Sequence, residues 1–148
     1  MVALKAPLTG SENLLRAVQV QLGPRRSALL IAIDGPDGVG KSSLASWLAW
    51  QLGMPAVPLD LFLIKNSEPL RWRNDELSRV ICERLDNGHP IIVEGILVCD
   101  AMREVGRQID FLIYVRGEGS ISLSTMIGDY NSRQRPEANA QFSLDGFN

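Results

Sequence analysis

The run Gly35-Pro36-Asp37-Gly38-Val39-Gly40-Lys41-Ser42 satisfies the spacing Gly-x-x-x-x-Gly-Lys-[Ser/Thr]. Residues of these types at this spacing suit one task. Glycines let the backbone curl inward so that successive N–H groups point at a single anion. A lysine adds a point charge for the β- and γ-phosphates, and a serine hydroxyl is a hard oxygen donor for Mg²⁺. The expected ligand is a nucleoside triphosphate, ATP with Mg²⁺, held by Gly35, Asp37, Gly38, Val39, Gly40, Lys41, Ser42 and Ser43.

Such a loop needs a strand before it and a helix after it, so that the helix N-terminus adds its dipole and free N–H groups. Both are legible. Ala28-Leu29-Leu30-Ile31-Ala32-Ile33 is a continuous apolar run, as in a strand buried on both faces, and Lys41 to Leu52 reads as a helix ending at Gly53. Ile91-Ile92-Val93 and Phe111-Leu112-Ile113-Tyr114-Val115 are further buried strands, Ala56-Val57-Pro58-Leu59 a shorter edge candidate, and Ala140 to Leu144 a last one. Helical segments are predicted over Asn74 to Asp86 and roughly Asp100 to Arg107. Ahead of these, Thr9 and Glu12 have the spacing of a capping box, followed by Leu14, Leu15, Val18 and Leu22 at helical intervals. The expected organisation is an N-terminal helix and linker over residues 1–27 and a nucleotide-binding domain over 28–148. Alternating strands and helices imply a three-layer α/β/α sandwich around a five-stranded parallel sheet, the P-loop NTPase fold.

Composition narrows the partners. With 148 residues, a net charge of −2 and 22% charged residues, the chain has no basic excess with which to neutralise a run of nucleic-acid phosphates. No stretch approaches the roughly 18–20 apolar residues of a membrane span, and Met1 to Gly10 lacks the apolar run of a signal peptide. Cys82 and Cys99 have neither zinc nor redox spacing and read as small core residues. A cytoplasmic protein acting on a small molecule, without nucleic acid or membrane, is the expectation.

The loop alone does not distinguish kinases, GTPases and motor ATPases. No Asn-Lys-x-Asp strip for guanine occurs. After the loop, the acidic residue that follows a long apolar run is Glu94, in Pro90-Ile91-Ile92-Val93-Glu94-Gly95. A small-molecule kinase fits best.

Three segments together, Ile33-Asp34-Gly35 through Ser43, Leu59-Asp60-Leu61-Phe62, and Ile92-Val93-Glu94-Gly95-Ile96-Leu97, resemble the uridine kinase branch of the small P-loop kinases, in order and spacing across residues 28–116. The resemblance implies ATP-dependent phosphoryl transfer to a hydroxyl of a nucleoside-like, sugar or vitamin-like alcohol. It implies that Asp60 takes the acceptor's proton and that Glu94 joins Ser42 at Mg²⁺ or orients the acceptor. Asp110 to Val115 matches that branch's next strand, and Tyr130, Pro136 and Ala140 follow a looser pattern near the end of related kinases.

Departures matter too. Leu63 stands where the branch has tyrosine, and the usual lid with its Arg-Gly-Arg stretch is missing between Gly117 and Arg135. Arg133 and Arg135 are the candidates for a shortened clamp beside Lys41, or else surface arginines. Arg71-Trp72-Arg73 is an aromatic–basic cluster for a planar or anionic ligand, or a helix entry. His89 reads as structural, and Trp47 and Trp50 as helix packing. Two rival readings stay open: a nucleotide-binding regulator without transferase activity, and a nucleoside-monophosphate kinase.

Overall fold

Alternation along the central strand sorts the helices into layers. The computed structural model describes residues 5–147. In it β1 (Leu30–Asp34) is buried along its whole length. Ile31 and Ile33 pack into a core with Leu14, Val18 and Leu22 of α1 (Ser11–Leu22) and Leu44, Trp47 and Leu48 of α2 (Lys41–Leu52). Leu30 and Ala32 face the opposite core, with Leu77 and Ile81 of α3 (Asn74–Asp86) and Val98, Ala101 and Met102 of α4 (Val98–Val105). One strand thus serves two hydrophobic layers, because successive side chains leave it on opposite faces.

β1 lies at the centre of a five-stranded sheet in the order β2-β3-β1-β4-β5, with every pairing parallel. The other strands are β2 (Ala56–Pro58), β3 (Ile91–Glu94), β4 (Phe111–Arg116) and β5 (Phe142–Asp145). The sandwich expected from the sequence is therefore present. In a sheet of this kind ligands bind beyond the carboxyl ends of the strands, where the order reverses. β1 is that reversal point, with β3 on one side and β4 on the other.

The boundary expected at residue 27 divides two chain segments that share one core, since α1 packs directly against α2 and the sheet. The start of α1 differs in detail. Its N-cap is Gly10, with no side-chain cap. Ser11, not Thr9, supplies the local bonds, accepting from Leu8 N–H at 3.1 Å and donating to Leu8 C=O at 2.7 Å. Trp47 is buried in the core, whereas Trp50 is 65% exposed. Two helices near the C-terminus have no counterpart in the sequence reading: α5 (Ser124–Gln134) and α6 (Pro136–Asn139). Among the described residues, no helix is long and apolar enough to cross a membrane.

Candidate active site

The loop leaves the end of β1 with its glycines in conformations that side chains resist. Gly38 and Gly40 have φ of 76° and 107°, in the left-handed region. At Gly35 the obstacle is contact: a Cβ there would lie 2.3 Å from Val115 O. The bent backbone delivers Lys41 to the first position of α2, where the ammonium is buried and donates to Pro36 C=O. Burial lowers the Lys41 pKa from the ordinary lysine range, against the opposing charges of Glu94, Asp34, Asp37 and Asp60.

A cleft of about 580 Å³ opens above the loop. It brings together Asp37, Gly38, Gly40, Lys41 and Ser42 with Asp60, Glu94, Gly95 and Ile96. Gly35, Val39 and Ser43, expected at the ligand, do not line it; Gly35 and Val39 shape the loop from behind. Asp60 sits in the short 3₁₀ turn Leu59–Phe62 that follows β2, and is solvent-exposed. Glu94 is the last residue of β3, and its Oε1 accepts a 3.0 Å hydrogen bond from Ser42 Oγ. Burial raises the Glu94 pKa, with Ser42 and Lys41 pulling it down and Asp60 pushing it up. Gly95 is required beside it, since a Cβ there would meet the Leu59 side chain at 2.9 Å.

Ser42 and Glu94 present a hydroxyl and a carboxylate at hydrogen-bond distance, an oxygen pair that suits a hard cation. No group of three or more His, Cys, Asp or Glu residues able to hold a metal occurs among the described residues. That donor set fits Mg²⁺, which takes one or two protein oxygens and completes its shell with phosphate and water.

The two arginines expected as a clamp are elsewhere. Arg133 forms a two-pronged ion pair with Asp100, at 3.2 and 3.0 Å, because it lies on the α5 face turned to α4. Arg135 caps α5 in the left-handed conformation and lines a separate hollow with Tyr114 and Glu137. Neither lines the cleft of Lys41. Arg73 is also committed: its guanidinium donates to Leu63 C=O at 3.2 Å, to Leu61 C=O, and to Glu76 at 3.1 Å. Trp72 is buried, so the Arg71-Trp72-Arg73 cluster anchors a loop.

Two contributors were not apparent from sequence. Asp34, just ahead of the loop, is buried, and its Oδ1 accepts from Gly35 N–H at 2.8 Å. Its Oδ2 accepts from the Tyr130 hydroxyl of α5 at 2.5 Å, and that hydroxyl in turn accepts from Cys99 N–H at 3.0 Å. Burial pushes the Asp34 carboxyl up to about 6, despite the hydrogen bonds from Tyr130 and Gly35 and the nearby Lys41 charge. The second contributor is a brace. Phe147 N–H donates to Val39 C=O at 2.9 Å, and Ser120 N–H donates to both Asp37 carboxylate oxygens at 3.0 and 3.1 Å. Gly146 permits this contact, since a Cβ there would lie 2.3 Å from Val39 O.

A parallel sheet with the Gly35–Ser42 loop between its central strand and a following helix is the P-loop fold. Among solved structures, the chain is similar to one from Bacillus stearothermophilus described as a possible uridine kinase, with a TM-score of 0.64 at 16% identity over 93% of this chain and 98% of that one. It is also similar to a candidate fructose transport system kinase from Silicibacter sp. TM1040, with a TM-score of 0.57 at 17% identity over 90% and 98%. A sugar kinase from Janibacter sp. HTCC2649 aligns with a TM-score of 0.50 at 16% identity over 80% and 85%. No protein-family model matches the sequence. No curated protein matches it either. At these identities the similarity establishes the shared fold.

Proposed function

We propose that this protein is an ATP-dependent kinase transferring the γ-phosphoryl group to a hydroxyl of a small molecule. The supporting observation is that Lys41 and Ser42, Asp60 and Glu94, from three separate chain segments, line a single cleft. In this reading the loop N–H groups and Lys41 hold the triphosphate, with Lys41 turning from Pro36 C=O to the β- and γ-phosphates. Mg²⁺ at Ser42 and Glu94 neutralises phosphate charge when bound. Asp60 receives the acceptor's proton as the acceptor oxygen bonds to the γ-phosphorus. The bond from that phosphorus to the β,γ-bridging oxygen breaks, and its electron pair leaves on ADP. Because such transition states are loose, positioning the acceptor oxygen in line contributes more than covalent chemistry.

The test is a coupled ADP-release assay against a panel of alcohols, run on wild type and Asp60→Asn. Loss of the base is expected to lower kcat by about 10²–10⁴-fold, while calorimetric Mg·ATP binding persists. Undiminished transfer by Asp60→Asn would remove Asp60 from that role. One observation favours a second reading, a nucleotide-binding regulator: Arg133 is paired to Asp100 and Arg135 lies outside the cleft. Tight ATP binding without acceptor-dependent ADP release across the whole panel is its signature.

A further inference from the structure

Beyond Asp60, the wall of the cleft is apolar. Leu63, Leu70 and Ile96 line it on the side of Asp60 and Glu94, and Leu123 and Phe147 line it from the C-terminal half of the chain. Leu63 and Leu70 belong to the two arms of the loop that links the turn at Asp60 to α3. Those arms are tied by backbone bonds, Ile64 N–H to Arg71 C=O at 2.9 Å and Arg73 N–H to Phe62 C=O at 2.6 Å, and by an antiparallel bridge between Leu63 and Trp72. Trp72 is buried beneath them, and the Arg73 guanidinium staples the base of the loop through Leu61 and Leu63 C=O. The leucines are therefore held by a braced element.

Charge points the same way. Among the described residues, Lys41 is the cation that lines the cleft, and in the reading above it serves the donor phosphates. Arg73 is bound to carbonyls and Glu76, Arg133 is bound to Asp100, and Arg71 and Arg135 are not part of the cleft wall. A phosphorylated acceptor would thus place a dianion beside the Asp60 and Glu94 carboxylates without an arginine to receive it, and like charges at close range repel. A polyol would turn several hydroxyls against leucine and isoleucine side chains, where an unpaired polar group is costly.

We propose that the acceptor is an uncharged alcohol with an apolar body, whose hydroxyl meets Asp60 while its body lies on Leu63, Leu70 and Ile96. This rests on the phosphotransferase reading and deepens its acceptor side. The experiment uses the full chain loaded with Mg²⁺ and a non-hydrolysable ATP analogue, with methyl-labelled leucine and isoleucine observed by NMR. Three probes are added at equal concentration: benzyl alcohol, glucose and ribose 5-phosphate. The expected result is that benzyl alcohol shifts the Leu63, Leu70 and Ile96 methyl signals and the other two do not. Leu70→Asn, a partly exposed position, is expected to weaken benzyl alcohol binding by roughly tenfold or more, and analogue binding to the same variant reports that it folds. Tighter binding of glucose or ribose 5-phosphate at these methyls overturns the proposal, as does a lack of response to all three probes. If the methyls respond to benzyl alcohol but no alcohol in the panel releases ADP, the transferase reading falls while the apolar site stands. If ADP is released with sugar phosphates, the reverse holds.

Discussion

Asp34 shows how a single buried carboxyl can set a pH dependence. Its folded pKa is raised to about 6 from an ordinary value of 3.8, chiefly by burial. Between those values the folded chain holds a proton that the unfolded chain has released. Asp34's contribution to folding stability therefore falls as pH rises from about 4 to about 6, and levels off above that. The full effect of a shift of this size is up to about 3 kcal/mol. Burial of Glu94 pushes its pKa in the same direction, so Asp34→Asn is expected to make the decline shallower without abolishing it. Urea melts of both proteins from pH 4 to 7 measure this, and equal slopes would show that Asp34 does not control the trend. Asp34 was in plain view in the sequence, but its role was not legible. Its partners Tyr130 and Cys99 lie far along the chain on α5 and α4, and no local spacing announces a tertiary hydrogen bond. Lys41, Ser42 and Glu94 were legible because a loop motif and a strand-end acid are local patterns.

At the scale of elements, legibility followed periodicity. α2 and α3 are legible to their observed ends, since Lys41–Leu52 carries an apolar core face and Asn74–Asp86 has its acidic first turn and apolar stripe. α5 escaped because Ser124–Gln134 buries only Tyr130 and carries a glycine, serines and an asparagine, residues with weak helix preference. The misplacement of Arg133 follows from that gap. Without the helix nothing indicated that Arg133 would turn toward Asp100. The short contacts between elements are equally silent in sequence. Gly146 stacks on Val39, with its Cβ position 2.3 Å from Val39 O and 2.9 Å from Arg116 O. Gly146→Ala is expected to cost about 1–3 kcal/mol of stability through forced backbone displacement and to weaken Mg·ATP binding, because the displaced atom belongs to the loop. Denaturant melts and calorimetry on the variant check both; full ATP affinity would separate the brace from the loop's function.

Across the whole molecule, the cleft draws on the loop and start of α2, on Asp60, Leu63 and Leu70, on the end of β3, and on Leu123 and Phe147, so a ligand there ties the sheet's carboxyl edge to both halves of the chain. Binding to the folded state alone stabilises by about 2.7 kcal/mol at a hundredfold excess over Kd. For a chain of this size Mg·ATP is then expected to raise Tm by roughly 5–10 °C. A scan with and without Mg·ATP checks this, and Lys41→Met should lose most of the shift while keeping the melt itself. The order of assembly carries a further consequence. Residues 35–42 leave the ribosome well before the segments that brace them: β1 needs β3 and β4 beside it, and Val39 meets Gly146 and Phe147 only after those residues have been made. During synthesis the cleft therefore takes its final shape only once β5 and the residues after it have docked, long after the loop that floors it has been made.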